Sequence, residues 1–189
     1  MSVTYLVTTE PATEPITLDQ FKSALRIGTC DFDADLTELL KVCRKQVEYE
    51  SRRKLITQTV KMYMEDFKED EIEIALAPVS AINSIKYYAE NGTLTTLSSA
   101  YYWTNLIETP PEICLKNGYA WPLTQLDRPN AVEIEFVAGY GAASAVPVEA
   151  KLAIKELGKM QWKDCSGSRA VYERLLSQIA WTGYGVAQE

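Results

Sequence analysis

The 189-residue chain contains no histidine. That absence removes Ser–His and Cys–His nucleophile pairs, histidine general bases and nearly all histidine–metal chemistry. The four cysteines, Cys30, Cys43, Cys114 and Cys165, are scattered and form no C-x-x-C pair. Neither a zinc site nor a dithiol motif is encoded, and reduced, partly buried thiols are expected, with two disulfides as the alternative. No apolar run approaches the ~18 residues of a membrane span. The N-terminus lacks the basic-then-apolar order of a secretory signal. A basic excess is missing too: 19 Lys and Arg against 26 Asp and Glu give a formal net charge of −7, which argues against a free-standing nucleic-acid binder. What remains is an ordinary soluble globular composition, 47% apolar and 24% charged, long enough for one sizeable core and read as a single domain over 1–189.

Three motifs invite a sharper chemistry, and each fails on spacing. Gly139-Tyr140-Gly141 follows an alternating strand and precedes Pro147. A dinucleotide fingerprint needs a third glycine at the sixth position and a helix that starts inside the motif. Here the sixth position is Ser144 and the proline sets the helix start too late. The two glycines instead supply positive φ for a tight exit from the sheet. Asp31-x-Asp33-x-Asp35 suggests a calcium loop, but Leu36 and Val42 stand where an EF-hand requires glycine and a bidentate glutamate. Glu133 and Glu135 are the best carboxylate pair for a hydrolase, yet they alternate with Val132, Ile134 and Phe136. They therefore share the polar face of one strand and do not face each other across a cleft. No catalytic residue, cofactor or metal ligand is assigned, and a non-enzymatic protein is expected.

Periodicity divides the chain into blocks. Residues 1–15, with two Thr/Glu/Pro clusters, read as an extended lead-in. A helical region spans 16–56. Thr17 with Gln20 matches a capping box and opens a short helix bearing Leu18, Phe21 and Leu25 on one face, ended by Gly28. A longer helix is expected from Asp33 to Arg53, with Leu36, Leu39, Leu40, Cys43 and Val47 as its apolar stripe. Acidic residues at its start and Arg52, Arg53 and Lys54 at its end suit the helix dipole. From 57 to 137 the period becomes two, giving strands over 57–64, 71–76, 81–88, 93–97, 101–106, 112–115 and 131–137. Asn91-Gly92 marks a hairpin. These strands make an antiparallel sheet or small barrel. Tyr87, Tyr88, Tyr101, Tyr102, Trp103, Tyr119 and Trp121 could floor a sugar or nucleobase site, although strand packing is the ordinary use of such residues. C-terminal helices occupy 147–181, the first with Ala150, Ala153, Ile154, Leu157 and Met160 inward, and 182–189 form a tail. The segment 170–181 is apolar on more than half its surface, through Val171, Tyr172, Leu175, Leu176, Ile179 and Trp181. It either folds back onto the core or docks on a neighbour. The fold class is α+β.

Several stretches in order resemble the tailed-phage head–tail connector (head completion, or adaptor) family. Ile16-Thr17-Leu18-Asp19-Gln20-Phe21-Lys22 with Leu25-Arg26-Ile27 is similar to its opening helix. Asp33 to Leu40, then Val47-Glu48 and Leu55-Ile56-Thr57-Gln58-Thr59, is similar to its long helix running into the first strand. Leu76-Ala77-Pro78-Val79 with Ile82, Ile85 and Tyr87 is similar to its next strand pair, and Ala138-Gly139-Tyr140-Gly141 with Val146-Pro147 to its last strand–helix junction. The likeness spans roughly 16–164 and stops before the tail.

The resemblance implies a structural virion protein without catalysis or cofactor. It implies a homo-oligomeric ring, commonly of twelve subunits, below the portal of a DNA-filled capsid, which extends the channel and presents a surface to a tail or stopper protein. DNA would pass without sequence-specific binding, helped by an acidic lumen, and no membrane is involved. The protein would reside at the head–tail interface of the virion and in host cytoplasm during assembly. Tyr172, Leu175, Leu176, Ile179 and Trp181 are the candidate partner-binding residues. A carbohydrate- or ligand-binding β module built on the Trp103 and Trp121 aromatics is the alternative, with a carboxylate hydrolase behind it.

Overall fold

The computed structural model describes residues 3–67, 71–162 and 167–180. The chain forms two compact units. One comprises residues 1–10 and 58–139, the other 11–57 and 140–189.

The first unit is all β. Its larger sheet contains β1 (Thr4–Thr9), β2 (Gln58–Met64), β8 (Val132–Ala138), β4 (Val79–Tyr88) and β5 (Leu94–Thr96), in the order β1-β2-β8-β4-β5. Every neighbouring pair in it is antiparallel. A smaller antiparallel sheet has the order β3 (Glu71–Glu73), β7 (Glu112–Leu115), β6 (Tyr102–Asn105). Both sheets are open, so the barrel alternative is not adopted. Strict alternation explains β2 and β8. Val60, Met62 and Met64 on one and Val132, Ile134, Phe136 and Ala138 on the other are buried, while the residues between them are half exposed. Phe136 and Ile134, fully buried, each contribute ~1.5–3 kcal/mol of transfer free energy.

Two strand expectations need correction. The lead-in is a paired edge strand, β1, whose Tyr5 and Val7 pack on the sheet core. Its pairing partner lies some fifty residues along the chain, so no local signal announces it. The strand expected over 71–76 stops at Glu73: the Ile74 amide still donates to the Pro111 carbonyl at 2.9 Å, but proline has no N–H to return and the ladder ends there. The hairpin after β4 is as expected: Gly92 takes φ +78°, and the Asn91 side chain accepts from the Thr93 amide at 3.0 Å.

The second unit is helical. α1 (Leu18–Ala24) begins with both capping-box bonds, Gln20 amide to Thr17 Oγ1 and Thr17 amide to Gln20 Oε1, each 3.2 Å. α2 spans Asp33–Ser51, α3 Val148–Gln161 and α4 Arg169–Ile179. Their core joins Phe21, Leu36, Leu40, Cys43, Val47, Leu55, Ala150, Ala153, Ile154, Leu157 and Tyr172. α3 approaches α1 closely: a Cβ placed on Gly158 would collide with the Phe21 ring.

The basic run after α2 does not serve the helix dipole. α2 stops at Ser51 with no basic residue in its last turn, and Arg52 takes the left-handed C-cap at φ +55°. Arg53 Nε donates to the Ile179 carbonyl at 3.1 Å, and Lys54 Nζ reaches Glu48 at 3.4 Å. Gly139 and Gly141 have φ of +128° and +108°, as their spacing required, and a short 3-10 turn over Ala143–Ala145 precedes α3.

Candidate assembly surfaces

The five residues proposed from sequence for partner contacts fall on α4 and beyond it. Ser168 caps this helix by accepting from the Val171 amide at 3.4 Å. The Ser168 amide itself donates to Glu156 Oε1 on α3 at 2.5 Å. Gly167 permits that turn, since a Cβ there would strike the Glu156 carbonyl and Met160. The apolar face that follows is turned inward. Tyr172 is fully buried and Ile179 is 7% exposed. Leu175 and Leu176 are half-buried against the same helical core. The Tyr172 hydroxyl donates to Glu50 Oε2 at 2.9 Å, and burial followed by that bond raises its pKa. Trp181 lies outside the described residues. Glu173, Arg174, Ser177 and Gln178 form the outward side of α4.

Among the carboxylates, Glu133 and Glu135 lie on the outward face of β8, facing Lys61 on β2. Lys61 Nζ is 2.8 Å from Glu133 and 3.7 Å from Glu135, and Asn83 donates to Glu135 at 3.2 Å. The lysine pKa rises through its hydrogen bond to Glu133. The pair thus forms a cross-strand ion cluster, not an acid and base flanking a cleft.

The aromatics divide between packing and exposure. Trp121 stacks on Phe67 with centroids 4.8 Å apart, Phe67 meets Tyr87 edge-on, and Tyr102 is buried. Trp103 remains 66% exposed, with Lys116 Nζ 4.2 Å above its ring. A shallow concavity of about 330 Å³ is lined by Glu65, Asp66 and residues 124–129. Thr124 donates to Asp66 there at 2.9 Å, and the Arg128 guanidinium lies 3.4 Å over the Tyr88 ring. Cys30, Cys43 and Cys114 are free thiols, and burial pushes Cys43 up to about 12; Cys165 lies outside the described residues.

The two units differ in charge, and most of the difference lies in the contiguous stretch 58–139. The β unit carries 13 Asp and Glu against 5 Lys and Arg, a net −8. The helical unit carries 13 against 14, a net +1. The acidic excess therefore belongs wholly to the β unit. On the small sheet Glu73 lies directly opposite Glu112, and Glu71 sits next along β3 on the same face. Burial, then Glu108, Glu71 and Glu73, raise the Glu112 pKa. On the helical unit, α3 exposes Val148 (60%) and Leu152 (44%), with Lys151 and Lys155 on the same side. Neither lysine forms an ion pair among the described residues. Neither feature is announced by local sequence pattern: Glu73 meets Glu112 only through strand pairing, and Val148 and Leu152 stand outside the apolar stripe of α3.

Among the described residues no helix is long and apolar enough to cross a membrane. Nor, among the described residues, is any group of three or more Cys, Asp or Glu residues placed to hold a metal ion.

No protein-family model and no curated protein matches the chain. Solved structures do. A chain in the virion of a native gene transfer agent particle matches with TM-score 0.78 and 18% identity, over 97% of this chain and 98% of that one. A chain in the neck of the empty particle, computed with C6 symmetry, matches with TM-score 0.79 and 19% identity, over 98% and 100%. A chain in the neck of the native particle, computed with C12 symmetry, gives 0.73 and 18%, over the full length of both. The shared α+β fold runs from one end of the chain to the other, at an identity that speaks for the fold alone.

Proposed function

We propose that this chain is a structural virion protein of a phage-like particle, assembled as a ring in the neck that joins head to tail and extends the DNA channel. The observation that carries this reading is the end-to-end fold match to neck chains, at TM-scores of 0.73–0.79. Ordered sequence features shared with the head–tail connector family point the same way. The symmetry of the matched necks supports a ring, with twelve copies as the expected number. A portal protein above and a tail or stopper protein below are the partners such a ring requires. The subunit resides in the virion neck after assembling in the host cytoplasm.

The role is architectural, not catalytic. The strongest carboxylate pair is tied to Lys61, and Tyr87, Tyr102 and Trp121 pack within the β core. An overall net charge of −7 suits a channel component past which a duplex slides, because a basic wall would hold phosphates by counterion release.

Deleting the coding sequence from the producing element tests the reading. DNA-filled heads and separate tails should accumulate, seen by electron microscopy, and expression in trans should restore joined particles. Normal tailed particles without this chain would overturn it.

A further inference from the structure

We propose that neighbouring copies in the ring join edge to edge through the large sheet, with β1 of one copy pairing with the open stretch of β4 in the next. The inference rests on the ring reading above and names the two edges that meet.

The sheet order β1-β2-β8-β4-β5 leaves an edge at each end. At one end β1 pairs only with β2. At the other, β5 covers β4 from Lys86 to Tyr88, and the Leu97 amide reaches the Ile85 carbonyl at 2.8 Å. Residues 79–84 of β4 have β8 on one side and, among the described residues, no strand on the other. The two open stretches are six residues each, Thr-Tyr-Leu-Val-Thr-Thr and Val-Ser-Ala-Ile-Asn-Ser, without charge, proline or glycine. Charge, proline and bulges are the usual guards of a bare edge. Only irregularities of register occur here, between Val7 and Thr9 on β1 and at Ser80 and Asn83 on β4. They bend a strand and raise its twist, which is the curvature a sheet needs in order to close on itself.

Direction and facing agree as well. Three antiparallel pairings separate β1 from β4, so the two strands run in opposite directions. Neighbours in a twelve-copy ring are turned only slightly against each other, so β1 meets β4 antiparallel, in the more stable ladder. Tyr5 and Val7 on β1 and Ile82 on β4 face the β core but are only half-buried against it, whereas Val60, Ile134 and Phe136 on the inner strands are fully buried. Setting Tyr5 beside Ile82 brings Leu6, 52% exposed, beside Ala81 on the opposite face. One register therefore suits both faces, and the backbone groups of each edge gain partners by strand addition. The net −8 of the β unit opposes the approach, and the uncharged edges add nothing to that repulsion. The contact is heterologous, as a ring requires.

The test uses the full chain, by hydrogen exchange on rings or assembled necks and by sedimentation velocity over a concentration series. Edge amides within residues 4–9 and 79–84 should exchange about tenfold or more slowly in the ring than in the dilute monomer. Two variants then place charges across the join, Leu6→Glu with Ala81→Glu, and Leu6→Glu with Ala81→Lys. Both sites are exposed, and the new carboxylate at position 6 faces Lys61 within its own copy, so melting temperatures should match the wild type. The first variant sets like charges together at every contact and should associate about tenfold more weakly. The second sets opposite charges there and should recover most of that loss. If the first variant assembles like the wild type, or the second is no better than the first, the joint is wrong while the ring stands. Protection confined to residues 4–9 would mean that a strand of another neck protein covers that edge, and overturns the joint between copies. A wild-type chain that forms no ring, free or in necks, overturns the ring reading and the joint together.

Discussion

At the residue scale, the most consequential group is the buried ion network of the helical unit. Arg44 and Glu48 are each 3% exposed and meet at 3.2 Å, while Arg44 Nε also reaches Glu14 at 2.8 Å. Glu48 further accepts from Lys54 and from the Leu55 amide. Removing Glu48 leaves Arg44 with Glu14 alone and takes the acceptor from the Leu55 amide, so Glu48→Ala should cost ~3 kcal/mol in denaturant unfolding. Glu14 behaves differently. Burial outweighs the Arg44 attraction and raises its pKa above the usual 4.5. A carboxyl whose folded pKa is raised stabilises fully below its unfolded value, and that contribution is lost as pH rises through the folded value. Glu14→Gln should therefore melt at or slightly above the wild-type temperature at pH 7. That advantage should vanish as pH drops through the glutamate range and the wild-type carboxyl protonates. A Glu14→Gln variant clearly less stable at pH 7 would show that the Arg44 bond dominates. Gly158 gives a steric counterpart. Alanine is the better helix former by ~1 kcal/mol, yet its methyl group would enter the Phe21 ring. Overpacking of ~1–3 kcal/mol should win, and Gly158→Ala should lower the melting temperature.

At the element scale, α4 belongs to the helical core through Tyr172 and Ile179. Tyr172→Phe leaves the Glu50 carboxylate without its 2.9 Å donor and should cost ~1–2 kcal/mol. Hydrogen exchange should rise first in α4 amides. Tyr172→Ala empties a fully buried site and should cost ~3–5 kcal/mol. Truncation before α4 removes these core side chains along with any docking role, so a clean test of partner contact keeps Tyr172 and Ile179 and changes Glu173, Arg174, Ser177 and Gln178. Most elements were legible from periodicity: β2, β7, β8, α2, α3 and α4 lie within about two residues of where their spacing placed them, whereas α1 ends at Ala24, ahead of the expected Gly28 stop, because Arg26 takes the left-handed turn at φ +58°. β1 was not, because a six-residue Thr-rich strand gains its identity only from β2, whose backbone completes its hydrogen bonds. The greasy character of α4 was legible, but what covers it depends on how α2 and α3 pack, which no local pattern encodes.

At the scale of the whole molecule, charge separates into a net −8 unit and a net +1 unit. Nearly all of the acidic excess lies in the contiguous stretch 58–139, and the pairing of β1 with β2 adds only Glu10 to it. The separation constrains assembly. Copies meeting β unit to β unit repel at a distance, so a joint there depends on its uncharged edges. Exposed charges act over about 10 Å in 0.1 M salt and about 3 Å in 1 M salt, so wild-type ring association, read by sedimentation velocity, should strengthen as salt rises. The same charge balance predicts no retention of duplex DNA by the free chain in a gel-shift assay at about 0.15 M salt, where affinity depends on phosphate neutralisation by basic residues.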